Sequence, residues 1–464
     1  MEAQLSRRSV VVSGVAAALV AATGTRAALA ADGPADAHDG DRHRPSAPRR
    51  AYRFLDAALD AYPMFGATRL AQSYTDQAGL FSTAFVYDNA RAVLAYLADR
   101  DRSASTARAR VIGDALLFAQ DNDPQYTDGR LRQAYNVGPY VFYDGVPQPD
   151  GFVRADGRAN IGAQFGFLGT AVGDMAWSAI ALAALARRTR DRRYRTGAVR
   201  IGEWIHARAY STQPLGGYRF GVDAADVLQP FSSTEHNIDL IGLFGQLADL
   251  TGDRVWRGRR AHAAAFVERM WEPDGGFYYT GTNDGVTINP FPIPEDTQTW
   301  SYLALGSRHR SAALDWESAN LAVLDTPERV NSTLTAGQRF AGVTFSSAGL
   351  VANESVPIAP FQPLPNRNGV WFEGNGHLAL ALRVRGRRGD ELAAYRLQAS
   401  TEAAQDQLGT GQTLGGLTIA ARAGVVSASS PLDTGFGFGY YPFRHVGATA
   451  WYLLADARAN PLET

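Results

Sequence analysis

Five short stretches of this chain set a carboxylate where an apolar helical pattern begins: Tyr87-Asp88-Asn89, Gly173-Asp174-Met175, Thr234-Glu235-His236, Glu295-Asp296-Thr297 and Phe372-Glu373-Gly374. A sixth, Arg444-His445-Val446, carries histidine in the corresponding place. An acid near a helix N-terminus is favoured by capping and by the helix dipole, which accounts for any one of them alone. Five brought to one place would do more. Desolvated carboxylates repel one another, so some hold protons near neutrality while others do not, and general acid–base catalysis needs that difference. The densest stretch is "SSTEHNIDLIGLF" (232–244), where Glu235, His236, Asn237 and Asp239 crowd one end of an otherwise apolar helix.

Aromatic residues and glycine accompany these acids. Trp177, Trp300, Trp371 and Trp451 fall near the same helix starts, and the long loops read "GGYRFG" (216–221), "GGFYYTGTNDG" (275–285) and "TGFGFGYYPFRH" (434–445). Aromatic faces stack on sugar rings while acids, amides and arginine bind hydroxyls, so this mixture suits a carbohydrate cleft. The expected substrate contacts are Tyr87, Asp174, Trp177, His236, Asn237, Trp300, Trp371, His377, Tyr440, Tyr441 and His445. For catalysis the candidates are Glu235, Glu373, Asp296, Asp88 and Asp433, the last being the carboxylate beside the final loop.

The elements that must position these groups are helical. From Tyr52 onward apolar residues recur at helical spacing in twelve segments. Segments such as "DMAWSAIALAALA" and "GNGHLALALRV" are apolar or small on nearly all sides and should be buried. Their partners, such as "RVWRGRRAHAAAFVERM", carry an arginine-rich face and should lie outside. The last segment, "HVGATAWYLLADA", has no helix after it and must pair with the first. Six buried helices inside six half-exposed ones form an all-α (α/α)6 barrel. Short links such as "TRDRR" and "TGD" join inner helices to outer ones. Long loops, roughly 120–173, 208–232, 271–294, 326–370 and 408–444, return to the next inner helix, so they share the rim where the carboxylates begin. Loops of that length in a compact domain are usually functional.

Composition excludes several chemistries. The chain has 464 residues, a net charge of -1 and no cysteine. It also has no lysine, since every non-histidine base in the sequence is arginine. Thiol nucleophiles, cysteine-ligated metals and lysine Schiff bases are therefore out. The near-zero charge argues against nucleic acid or an anionic membrane as partner. "HNID" lacks the spacing of a zinc helix and no calcium loop is present, so neither a metal nor a cofactor is expected. Arg7 and Arg8 precede an Ala/Val-rich stretch closing on Ala28-Leu29-Ala30, which reads as a twin-arginine-type export signal over 1–30. Residues 31–50 read as a disordered linker and 51–464 as one catalytic domain, secreted and monomeric.

Residues 50–464 resemble the six-hairpin glycosidases, on the strength of the alternating helices, the acids at inner-helix starts and the glycine–aromatic loops. The resemblance implies hydrolysis of a poly- or oligosaccharide by two carboxylates, inverting more often than retaining, without a redox cofactor. It implies Glu235 as proton donor. The base is left open among Asp433, Glu373, Asp296 and Asp88. Three other readings use the same residues. A polysaccharide lyase would employ His236, Asn237, Tyr87, Tyr440 and Arg444 on a uronate. A sugar epimerase would employ a histidine pair from His236, His377 and His445. A glycan-binding protein would need the aromatics alone.

Overall fold

The computed structural model describes residues 45–99, 102–162, 167–306 and 310–464. The expected export signal and most of the expected linker lie outside the described residues. Twelve α-helices are present among the described residues. The inner six are α2 (Val86–Ala98), α4 (Val172–Thr189), α6 (Thr234–Thr251), α8 (Asp296–Leu305), α10 (Phe372–Arg385) and α12 (Val446–Ala457). Each packs on the next and α12 packs on α2, which closes the ring. The outer six are α1 (Ala47–Leu59), α3 (Arg102–Asp121), α5 (Arg192–Ala209), α7 (Val255–Arg269), α9 (Ala312–Asn320) and α11 (Asp390–Gln407). They back the inner helices one to one, with α1 against α12. None of the described helices is long and apolar enough to cross a membrane.

Burial follows side-chain chemistry. In α4 and α6 nearly every residue is buried, whereas α7 buries only Trp256, Ala263, Phe266 and Val267 and turns its arginines outward. Left-handed glycines at Gly252 and Gly386 end α6 and α10, and Asp191 caps α5 by accepting the Arg193 N–H. Two boundaries differ from the pattern. α1 starts at Ala47, inside the expected linker, because Arg50 is drawn onto Asp406 of α11 (2.6 Å). α9 stops at Asn320, because Ala322–Asp325 pairs as a strand with Phe340–Val343 instead of continuing the helix.

The long loops form a belt around one rim. The segment entering each inner helix pairs with the loop that follows the next outer helix. Thr83–Phe85 pairs with Ala134–Asn136, Thr170–Ala171 with Gly221–Val222, and Ser232–Ser233 with Gly281–Thr282. Pro294 bridges Ser346, Trp371 bridges Ala428, and His445 bridges Tyr74, so the belt closes as the barrel does. A second device repeats just below it. One side chain in the first turn of each inner helix accepts a backbone N–H from the loop leading into it: Asn89 from Ala71, Met175 from Leu131, Asn237 from Tyr218, Gln298 from Tyr278, Asn375 from Val343 and Thr449 from Val425. Buried backbone groups need partners, and these clamps supply them where the chain turns from loop to helix. The first turns, and the acids on them, are thereby fixed.

Candidate active site

The belt and the first turns enclose an axial pit. Asp88, Asp174, Glu235, Asp296 and Glu373 each lie in the first turn of an inner helix, as the sequence pattern requires. Asp174 and Glu235 keep partial solvent access, while Asp88, Asp296 and Glu373 are almost covered. Half-buried Tyr74, Tyr87 and Tyr440 complete the wall.

Glu373 is the most heavily supported carboxylate. The Tyr87 hydroxyl donates to its Oε1 at 2.7 Å. His377 Nε2 lies 3.7 Å from the same oxygen, His445 Nδ1 lies 3.6 Å from Oε2, and Arg91 Nε stands 4.0 Å from Oε1. Burial alone would raise its pKa, but the His377 contact and the neighbouring His445, His377 and Arg91 outweigh burial and bring it down to about 2. Glu373 is therefore an anion throughout the working range.

Its neighbours are driven the other way. Burial, then the charges of Asp296 and Asp239, push Glu235 well above the usual carboxylate range. Burial and the charge of Glu373 raise Asp296 to about 7, and burial raises Asp174 to about 7. One pit thus holds a firmly ionised carboxylate and several that stay protonated, the division of labour that acid–base catalysis exploits.

The floor is aromatic and cationic. Trp177 meets Trp300 and Trp451 edge to face, with Trp177 and Trp300 centroids 5.1 Å apart, and Trp300 stacks on Trp451. The Arg91 guanidinium rests 4.0 Å from the Trp177 ring and 5.2 Å from Trp300, and donates to the Tyr87 carbonyl. This caged cation offsets the carboxylates above it. On the wall, His445 stacks flat on Tyr74 at 4.1 Å. Its Nδ1 accepts the Ala448 N–H, which leaves Nε2 to carry the proton toward Asp88 at 3.0 Å.

No family model and no characterised protein sequence matches the chain. Solved structures do. A D-mannose isomerase superposes with a TM-score of 0.56 at 11% identity, over 89% of this chain and 96% of that one. A family 76 glycoside hydrolase from a bovine Bacteroides thetaiotaomicron strain gives 0.55 at 10%, over 89% and 77%. A cellobiose 2-epimerase from Bacillus thermoamylovorans gives 0.54 at 10%, over 88% and 98%. The shared fold is the (α/α)6 barrel. At these identities the likeness is one of fold.

Within that barrel several expected roles change. Trp177, Trp300 and Trp371 are at most 1% exposed and form floor and wall, so their faces are not open to a sugar. Trp177 and Trp300 enter their inner helices beyond the acids, whereas Trp371 caps the start of α10 and is covered by Phe345 and Tyr440. Asn237 is fully covered, and its amide is engaged with the Tyr218 backbone and the Ser233 carbonyl. Asp433 sits in a hairpin and accepts the Gly435 N–H, a turn-capping role. Tyr441 packs against Phe443, away from the ring of acids, whereas Tyr440 stacks on Trp371 inside it. His236 lies on Phe220, and burial takes its pKa down to about 4, so it is a neutral wall residue. Arg444 gives its guanidinium to the Ala420, Ala423 and Leu408 carbonyls. Burial holds both Tyr87 and Tyr440 far above the phenol range.

Three contributors were not expected from the sequence: Arg91, Glu317 and Tyr74. The lone arginine in the apolar run of "VYDNARAVLAYLA" was the legible clue to the first. Glu317 lies in an ordinary-looking polar outer helix and Tyr74 in a loop, and neither carries a local signal.

Proposed function

We propose that the protein is a secreted glycoside hydrolase in which Glu235 is the general acid and Glu373 the general base. The observation that carries this reading is that two carboxyls with contrasting surroundings share one rim: Glu373 meets Tyr87, His377, His445 and Arg91, whereas Glu235 stands among Asp296 and Asp239. Glu235 gives its proton to the glycosidic oxygen as the bond to the anomeric carbon breaks. Glu373 takes a proton from the water that attacks that carbon from the opposite face. Exchange with solvent then restores both groups. The two residues start from α10 and α6, with α8 between them in the ring. Exposed Phe436 and Phe438, in contact with Phe345 and through it with Tyr440, offer ring faces above the pit for further sugar residues. The arginine-pair leader supports work outside the cytoplasm.

A second reading rests on His445, whose pairing with Asp88 beside Glu373 is also suited to moving a proton at a sugar carbon. Isotopes separate the two. Incubation with a panel of neutral oligosaccharides in water carrying both ¹⁸O and deuterium should place one ¹⁸O at each newly released anomeric carbon and no deuterium on carbon. Carbon-bound deuterium without new reducing ends would overturn hydrolysis in favour of isomerisation or epimerisation.

A further inference from the structure

Behind Glu373 runs a line of buried groups that the proposed hydrolysis does not use. His377 Nδ1 lies 2.8 Å from Glu295 Oε2, and both residues are fully covered. Beyond Glu295 is Glu317, which comes from the outer helix α9 and is also fully covered. Glu317 stands close enough to Glu295 for the two carboxyls to act on one another. Glu295 Oε1, both Glu317 oxygens and His377 Nε2 are buried with no hydrogen-bond partner among the described residues.

A shared proton reduces these orphans. Two buried carboxylates in contact cannot both ionise, and a single proton between them turns two unsatisfied acceptors into one hydrogen bond. Glu295 Oε2 still accepts from His377 Nδ1–H. A neutral His377 would then point the Nε2 lone pair at the Glu373 anion, whereas an imidazolium points an N–H at it. Charge then alternates along the line, with the dyad negative, His377 positive and Glu373 negative beside Arg91, an order that buried ions favour. The other ionisable groups facing the dyad are Asp296, next to Glu295 on α8, and Arg385 of α10, whose charge reaches Glu317.

We propose that Glu295 and Glu317 form a one-proton dyad that keeps His377 doubly protonated, and that through His377 this dyad positions Glu373 and holds it ionised. Both acids are positioning residues and neither touches substrate. The consequence for catalysis rests on the reading of Glu373 as base, whereas the charge state of His377 does not.

The test therefore has two readouts on the full-length chain. Imidazole ¹⁵N spectra of histidine-labelled protein, with His377→Gln used for assignment, should show His377 doubly protonated at pH 7.5. Glu295→Gln should return it to a neutral imidazole. Glu317→Gln should leave it charged, because a glutamine amide can donate to Glu295 as the shared proton does, while Glu317→Leu should not. On any oligosaccharide that is turned over, Glu295→Gln should raise the acid limb of kcat/KM by about one pH unit, roughly tenfold at the low-pH end. Glu317→Gln should rescue what Glu317→Leu loses. A neutral His377 in the wild type, or equal effects of Gln and Leu at 317, overturns the dyad. A charged His377 in a protein that hydrolyses nothing keeps the dyad and removes the hydrolase reading instead.

Discussion

Replacing Asp296 by asparagine should make this protein more stable, and only above a particular pH. Asp296 is 5% exposed at the start of α8, where burial and the charge of Glu373 raise its pKa from 3.8 to about 7. A carboxyl that binds its proton more tightly in the folded chain adds nothing unfavourable below its unfolded pKa. As pH rises between the two values the folded state loses ground, and above about 7 the full penalty applies. A shift of roughly 3 units corresponds to about 4 kcal/mol at 1.36 kcal/mol per unit. Asparagine keeps the shape without the charge. Guanidinium unfolding of wild type and Asp296→Asn should therefore agree at pH 4 and differ by about 4 kcal/mol in favour of the variant at pH 8.5. An equal difference at both pH values, or a less stable variant at pH 8.5, would refute burial of a strained carboxyl at this position.

Three further outcomes follow from the geometry. Tyr87→Phe removes the 2.7 Å donor to Glu373. A hydrogen bond to a buried anion contributes about 1.5–3 kcal/mol, so the acid limb of the rate profile should move up by roughly one to two pH units. Gly447→Ala would set a methyl 2.6 Å from Asp88 Oδ1 and 2.8 Å from Glu373 Oε2. Helical circular dichroism should be unchanged while kcat/KM falls about 10- to 100-fold, and full activity would mean that the two carboxylates are not held where they stand. Asn237→Ala breaks a loop clamp of three backbone hydrogen bonds. It should cost about 2–4 kcal/mol of stability and leave KM unchanged in the folded fraction, whereas a selective rise in KM would restore Asn237 as a substrate contact.

The ring of helices was legible because burial on all sides and burial on one side leave different patterns in sequence, and α4 against α7 is the clearest contrast. The first-turn acids were legible for the same reason, since charge at the head of an apolar helix stands out. Depth was not. Trp177 lies three residues beyond Asp174, and that distance along α4 takes it from wall to floor. Asn237 has the composition of a sugar contact, yet its amide mimics a strand partner for Tyr218, a role set by a loop that sequence spacing does not locate. Glu317 was invisible because its importance comes from a neighbour, Glu295, at the cap of another helix. Residues whose function comes from pairing across the fold leave no local trace.

The central claim is that Glu373 is ionised and Glu235 protonated in the same pit at the same pH. Infrared difference spectra at pH 6 read both groups without knowledge of the substrate. Subtracting Glu235→Gln from wild type should reveal the C=O stretch of a protonated carboxyl, and subtracting Glu373→Gln should reveal the paired stretches of a carboxylate. Carboxylate bands from both variants, or protonated bands from both, would contradict the assignment of acid and base.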